Sequence, residues 1–163
     1  MIPEGVTFID GHAFYGCSSL TSIVIPEGVT SIGSYAFNGC ENLTSIVISE
    51  GVTSIGEGAF RGCSSLTSIA IPEGVTFINS YAFCECSLTS IVIPESVTSI
   101  GDIVFRGCSS LTSFTCLATN PPTCSDLGWG FNATIYVPAA SVAAYKAADG
   151  WKDYASRIQA IPE

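Results

Sequence analysis

Residues 20–40 read Leu20-Thr-Ser-Ile23-Val-Ile25-Pro-Glu-Gly-Val29-Thr-Ser-Ile32-Gly-Ser-Tyr-Ala36-Phe37-Asn-Gly-Cys40, and this unit recurs along the chain. The spacing is 23 residues, except in one unit of 22, where Cys86-Ser-Leu88 replaces Cys-Ser-Ser-Leu. Four positions keep this register: the turn glutamate (Glu4, Glu27, Glu50, Glu73, Glu95), a phenylalanine (Phe14, Phe37, Phe60, Phe83, Phe105), a leucine (Leu20, Leu43, Leu66, Leu88, Leu111) and a cysteine (Cys17, Cys40, Cys63, Cys86, Cys108). Self-similarity at a fixed period predicts a repeat protein whose units stack on one another.

Each unit contains two short strand patterns and a helical turn. Residues 22–25 alternate polar and β-branched side chains, as a half-buried strand does, and Val29 to Ile32 is a second short β-favouring run. Pro26 and Gly28 predict a tight turn between them, and Ser96 in place of that glycine suggests that a positive φ is not required there. The segment from Ala36 is too short for a stable α-helix, so we expect a helical turn closed by Gly39.

Stacking is required because 23 residues cannot bury their own apolar side chains. We therefore expect a mostly β, right-handed solenoid, with a rise of roughly 4.8 Å per coil and a buried column of phenylalanines. The repeats end after Leu111, and Asn120-Pro-Pro122 interrupts any regular structure. A β-rich run from Ala133 to Val137, an Ala-rich helix around residues 140–148 and a last strand near Ile158 predict an α+β cap.

The repeated pattern Leu-x-x-Ile-x-Ile-Pro-Glu-Gly-Val-x-x-Ile-Gly-x-x-Ala-Phe-x-Gly-Cys resembles the BspA-like (Treponema pallidum-type) leucine-rich repeat. The C-terminal segment, with Asn120-Pro-Pro122, Ile135-Tyr-Val-Pro138 and Gly150-Trp151, is similar to the cap of such proteins in Bacteroides-type bacteria. The expected domains are residues 1–116, five stacked repeats of which the first is truncated, and a cap at 117–163. The resemblance implies a cell-surface or secreted protein that adheres to host or bacterial surface proteins, without enzymatic activity or cofactors.

Composition excludes several other classes of protein. Five Lys and Arg against 14 Asp and Glu give a net charge of −9, which disfavours nucleic acid and anionic membrane surfaces. The apolar runs are too short for a membrane helix, so no membrane insertion is expected. The chain shows no signal peptide and begins within a unit, so we interpret it as the C-terminal part of a longer protein or a trimmed piece of one.

The cysteines and the single histidine offer little catalytic chemistry. Ladder cysteines one coil apart are close enough for disulfides, but a repeated position favours reduced, buried thiols, and Cys116 replaces a core isoleucine. No ladder explains Cys84 or Cys124, and Cys84-Glu-Cys86 lacks zinc-ligand spacing.

His12, near Cys17, takes a repeat position that holds tyrosine, glycine or isoleucine elsewhere, which argues against catalysis. The glutamate column offers carboxylates for Ca²⁺ or a basic partner, or is a solvated turn edge, and screening by water favours the edge.

The outward side of the first strand in each unit is the candidate binding face. If Ile23 and Ile25 point inward, the exposed positions are Ser22, Val24, Ser45, Val47, Ser68, Ala70, Ser90, Val92, Ser113 and Thr115. Extended solenoid faces commonly bind proteins, so this small, uncharged face predicts an adhesion module. One alternative is a spacer that displays another domain. A second is a small-ligand or ice-type binder that uses the threonine rows (Thr21, Thr44, Thr67, Thr89, Thr112 and Thr7, Thr30, Thr53, Thr76, Thr98).

Expectations for the two ends differ. The first coil lacks a preceding strand, so Val6, Ile9 and Phe14 should be exposed, and the chain should fray at residues 1–15 or form a weak homodimer through this edge. At the other end, Trp151, Tyr145 and Tyr154 should cover the core. Trp129, in Gly128-Trp129-Gly130, is either a binding residue or packs in the cap, and packing is favoured.

Overall fold

A computed structural model describes residues 2–163 as a stack of short parallel strands and helical turns, followed by a small helical region. The strands are β1 (Ser22–Val24), β2 (Ser31–Ile32), β3 (Ser45–Val47), β4 (Ser54–Ile55), β5 (Phe77–Ile78), β6 (Ser90–Ile93), β7 (Ser99–Ile100), β8 (Ser113–Cys116), β9 (Thr134–Val137) and β10 (Ile158–Ala160). The one α-helix in this part of the chain is α1 (Val142–Ala147), and 3₁₀ turns cover Ala139–Ser141 and Lys152–Arg157.

The strands lie on two sides of the stack. On one side β2, β4, β5 and β7 form a parallel sheet in which equivalent residues of successive coils pair, for example Ile32 with Ile55. On the other side β1 pairs with β3, and β6, β8, β9 and β10 form a second group of four. Pairing between residues one repeat apart confirms the predicted leucine-rich-repeat solenoid, since it is the register that stacked identical units require.

The helical turns form the third side of the stack. Five phenylalanine rings stack at centroid distances of 5.0, 5.4, 5.6 and 5.8 Å from Phe14 to Phe105. Phe37, Phe60, Phe83 and Phe105 are buried, and Phe14 is half-buried. The column ends against Phe114, whose ring meets that of Phe105 edge to face. The predicted phenylalanine core is therefore confirmed.

Backbone hydrogen bonds also connect the helical turns from coil to coil. The N–H groups of Tyr35, Phe37 and Gly39 donate to carbonyls of the next coil at 2.7–2.8 Å. Gly39 has a φ of 71°, as expected for the residue that closes the turn. The position of Tyr35 is left-handed in every coil, with φ between 56° and 61°, whichever residue occupies it (His12, Tyr35, Gly58, Tyr81, Ile103).

The cap extends the second sheet. β9 pairs with β8 and β10 pairs with β9, so the sheet continues without interruption from the last repeat into the C-terminal segment. Trp151 and Tyr145 are fully buried, with ring centroids 4.9 Å apart, and Tyr154 is half-buried. The Trp151 indole N–H donates to the Pro122 carbonyl at 2.8 Å. These aromatics cover the core end, as predicted.

One local expectation is wrong. Ile9 is buried, because it bridges Ile32 of the next coil and packs on the core. The Pro26 turn uses a positive φ at Gly28, 96°, while the later turns do not, which agrees with the prediction that this position does not require one. The Ser141 hydroxyl, at the N-terminus of α1, donates to the Thr119 carbonyl.

Candidate functional site

The outward strand face is largely accessible, as its sequence pattern predicts. Eight of the ten candidate residues are exposed (Ser22, Val24, Ser45, Val47, Ser68, Ala70, Ser90, Val92). The valines Val24, Val47 and Val92 each leave more than half of their surface open to solvent. Ser113 and Thr115 are half-buried. Both lie in β8, which pairs with β9 of the cap. The face therefore runs as a stripe of small uncharged side chains from β1 to the cap.

The middle of this face is interrupted. Residues 68–71 lie between β3 and β6 but form no strand within the described part of the chain. A crevice of about 250 Å³ opens there, with Ile69, Ile71, Ile91 and Pro94 among its lining residues. The next coil is the one with 22 residues instead of 23. Its strand β6 therefore begins one residue earlier than the regular spacing would place it. The sequence pattern predicted the exposed stripe. It did not predict this crevice, because every unit carries the same strand motif.

The two threonine rows are used for coil-to-coil bonding. In one row, the N–H and Oγ1 of Thr53 both donate to the Thr30 carbonyl, at 2.9 and 3.1 Å. The same pairing recurs at Thr30, Thr76, Thr98 and Thr123. The other row has matching hydroxyl bonds at Thr44, Thr89 and Thr112. Since these hydroxyl groups already donate to backbone carbonyls, the threonine rows connect neighbouring coils. The alternative of a small-ligand or ice-type binder therefore loses its main support.

The ladder cysteines bond in a similar way. The Sγ–H of Cys40, Cys63, Cys86 and Cys108 donates to the carbonyl of the phenylalanine in the preceding coil, at 3.0–3.2 Å. Burial raises the pKa of Cys63 to about 12 and that of Cys108 to about 11. Burial also raises the pKa of Cys86 well above its ordinary value. These thiols are neutral at physiological pH, which makes them poor nucleophiles and poor metal ligands.

Cys17 departs from the ladder expectation. It is exposed, because no preceding coil in the described chain offers it a carbonyl or covers its side chain. All eight cysteines are free; Cys84 is buried and Cys124 partly so. Burial raises the pKa of Cys124 to about 12, with Asp126 adding to the effect. Cys116 lies in the core, where its sulfur accepts a hydrogen bond from the Tyr145 hydroxyl at 3.2 Å.

The remaining polar candidates stand apart from one another. The glutamate column (Glu4, Glu27, Glu50, Glu73, Glu95) is exposed along the turns, which agrees with a solvated edge. Within residues 2–163 no three His, Cys, Asp or Glu side chains lie close enough to hold a metal ion. His12 is exposed and stacks on the Tyr35 ring at 5.3 Å.

Trp129 does not pack in the cap as expected. It is 78% exposed, and the Arg106 guanidinium lies 5.8 Å from its ring centroid. Gly128, with a φ of 126°, sits so tightly against the Arg106 backbone that an added Cβ would lie 2.5 Å from the Arg106 nitrogen. This close contact presses the loop onto the last coil while the Trp129 side chain remains outside.

Short parallel strands stacked coil on coil, with a helical turn in each coil, define a leucine-rich-repeat solenoid. The chain belongs to the BspA-type leucine-rich repeat family, whose description, BspA type Leucine rich repeat region, matches residues 1–114 in six copies. No curated protein sequence matches the chain.

Solved structures show the same architecture. A leucine-rich repeat protein from Bacteroides ovatus is 36% identical over 82% of this chain, with a TM-score of 0.72, and the match covers 36% of that protein. The leucine-rich repeat protein of T. pallidum is 34% identical over 83% of this chain, with a TM-score of 0.73, and 64% of it is covered. A leucine-rich cell surface protein from Faecalibacterium prausnitzii is 26% identical over 84% of this chain, with a TM-score of 0.54 and 54% of it covered. The chain thus spans less than two thirds of each of these relatives.

Proposed function

We propose that this chain is a noncatalytic adhesion module of a bacterial cell-surface or secreted protein. Its partner is a surface protein of a host or of another bacterium, bound through the outward strand face. The observation that carries this proposal is the exposed stripe from Val24 to Val92, with the crevice at residues 68–71 in its middle. The resemblance to a leucine-rich cell surface protein supports the location. None of the helices described within residues 2–163 has the length and apolar character to cross a membrane.

The crevice supplies an anchor point that a flat stripe lacks. Protein interfaces concentrate their energy where one side chain enters a desolvated pocket. Ile69, Ile71 and Ile91 offer such a pocket for an apolar side chain, and the exposed Glu73 beside them suits a basic neighbour. Residues 2–116 carry ten carboxylates against two arginines, which attracts a basic partner at long range.

A binding panel tests the proposal and separates it from a spacer role. The 163-residue chain is immobilised and exposed to purified host extracellular-matrix proteins and bacterial surface proteins. We expect saturable binding to one partner, which Val92→Arg weakens by at least about tenfold. The control is Phe77→Arg, which changes an exposed apolar residue of the preceding coil in the other sheet. Binding to no protein of the panel would favour the spacer, and equal loss in both variants would place the interface elsewhere.

A further inference from the structure

A groove of about 480 Å³ runs across the helical turns of the first coils, on a different side of the stack from the strand face. We call it the aromatic groove; the lining residues that matter here are His12, Tyr15, Tyr35, Asn38, Glu41 and Arg61. The proposed protein-binding face does not include any of them. The groove therefore needs an explanation of its own.

Three rings form one wall of the groove. His12 stacks on Tyr35, with centroids 5.3 Å apart and planes 27° apart, and its ring lies 5.5 Å from Tyr15. Tyr15 is 58% exposed, so its ring is open to a ligand. The exposed ring offers a flat apolar surface on which a ligand with an apolar face can stack.

Neighbouring residues hold the Tyr35 ring in place. The Tyr35 hydroxyl donates to Glu57 Oε1 at 2.5 Å. In the next coil the equivalent position is Gly58, where an added Cβ would lie 2.5 Å from the Tyr35 ring. The glycine thus provides the space into which the ring extends, and the hydrogen bond fixes its orientation. The wall is preorganised, which is a requirement for a binding site.

The backbone supports the same conclusion. His12 and Tyr35 have φ values of 61° and 58°, a region that costs most residues about 1 kcal/mol or more and that glycine or asparagine occupies readily. The fold requires this conformation in every coil, but it does not require a ring there. The rings of His12 and Tyr35 at these two adjacent positions stack on one another and form one continuous wall.

The polar lining has both donors and acceptors but little net positive charge. Arg61 is the one arginine of the lining, and its Nε lies 3.7 Å from Glu85 Oε2. Asn38 contributes an amide and Glu41 a carboxylate. An anionic ligand would meet two carboxylates, Glu41 and Glu85, against one guanidinium. A neutral molecule with one apolar face and several hydroxyls fits both the rings and the polar groups.

We propose that the aromatic groove binds a neutral saccharide. The C–H face of a sugar ring stacks on Tyr15, and sugar hydroxyls form hydrogen bonds with Asn38, Glu41 and Arg61. This binding is independent of the protein-binding face, so either function can fail while the other stands.

An array of neutral host and bacterial oligosaccharides, with sialylated and sulfated glycans and Lys/Arg-rich peptides beside them, tests the groove. We expect the 163-residue chain to bind at least one neutral saccharide and to leave the anionic glycans unbound. Tyr15→Ala should weaken that binding by about tenfold or more, as loss of an aromatic anchor does. Tyr15→Phe keeps the ring and should retain most of the affinity.

Phe8→Ala is the matched control. Phe8 lies in the same coil and is 57% exposed, nearly the same as Tyr15, but it does not line the groove. Its loss should leave saccharide binding unchanged. The proposal is overturned if no neutral saccharide binds, if Tyr15→Ala binds as well as the unmodified chain, or if the basic peptides bind in the groove instead.

Discussion

The ladder cysteine satisfies two needs of the coil with one small side chain. It fills buried space beside the phenylalanine column, and its thiol donates to a carbonyl of the preceding coil, for example from Cys63 to Phe37 at 3.2 Å. Alanine would fill less space, and serine would bury a more polar group. The same carbonyl accepts a backbone N–H from Cys40, so both of its lone pairs are used.

The buried thiols make the protein sensitive to alkaline pH. The pKa of Cys63 is about 12 in the folded chain and near 9 in an unfolded one, so the neutral thiol favours folding. This contribution is complete below about pH 9 and is lost as the pH rises towards 12, at no more than about 1.4 kcal/mol per pH unit. We expect Cys63→Ala to show a shallower fall of unfolding free energy between pH 9 and 11 in urea titrations. Cys17→Ala, which removes an exposed thiol, is the control, and parallel slopes for Cys63→Ala and the parent would contradict the argument.

The phenylalanine column should carry much of the stability. Phe60 is fully buried between two stacked rings, so Phe60→Ala removes contacts on both faces and leaves a cavity. We expect a loss of about 3–5 kcal/mol in the free energy of unfolding, measured by chemical denaturation. Phe8→Ala, at an exposed position, should cost no more than about 0.5 kcal/mol. A loss below about 1 kcal/mol at Phe60 would rule out the column as the core.

Glu85 occupies a position that suits glycine. It has a φ of 62°, and the equivalent residues Gly39 and Gly62 have φ values of 71°. Glu85 is exposed and its pair with Arg61 is weak at 3.7 Å, so little is lost by removing the side chain. We expect Glu85→Gly to raise the free energy of unfolding by about 0.5–1 kcal/mol, measured by urea denaturation.

The reverse change at the equivalent site tests the same reasoning. An added Cβ at Gly62 would contact only Gly39 atoms, at 3.7 Å, so no clash is expected. Gly62→Ala should therefore lower the free energy of unfolding by about 1 kcal/mol through backbone strain alone. If both substitutions destabilised the chain equally, the left-handed conformation would not be the cause.

At the scale of elements, the two sides of the stack differ in continuity. The sheet of β2, β4, β5 and β7 is unbroken, whereas the other side lacks a strand at residues 68–71. Ile69 and Ile71 are each 9% exposed, while Ile93 in β6 is fully covered. The missing strand between β3 and β6 leaves the centre of the outward face less tightly held. On the opposite side of the same coil, the sheet that contains β5 is complete.

Hydrogen exchange measures this difference directly. Amides without sheet partners open by local fluctuations and exchange faster than those in paired strands. We expect the amides of residues 68–71 to be markedly less protected than those of β3 and β6. The internal reference is β5, which belongs to the same coil but lies in the continuous sheet. Equal protection of 68–71 and β3 would show that the strand is formed in solution.

At the scale of the whole molecule, the two ends of the stack are unlike. Trp151 closes the core at the C-terminal end, while Phe8, Tyr15 and Cys17 are exposed in the first coil and Phe14 is half-covered. Within the described residues β1 pairs only with β3, so its outer edge offers unpaired backbone groups. Such an edge is a template for pairing with another strand.

We therefore expect the 163-residue chain either to associate weakly through the first coil or to fray at residues 1–15. Association through one end stops at a symmetric pair, since the other end is closed. Light scattering over a concentration series should show a monomer–dimer equilibrium, or hydrogen exchange should show an unprotected first coil. A strictly monomeric chain whose first coil is as protected as its third would contradict both outcomes.

The repeat determines most of this architecture from sequence alone. A residue that returns every 23 positions has to stack on its copy in the next coil, so the columns of phenylalanine and cysteine, the strand register and the exposed stripe all follow from the spacing. The tertiary structure alone decided what departs from repetition. Trp129 remains exposed beside a close backbone contact of Gly128, residues 68–71 leave the sheet beside a shortened coil, and Tyr15 joins His12 and Tyr35 in one groove. These features depend on how one coil differs from its neighbours in space, and a pattern of identical units carries no information about such differences.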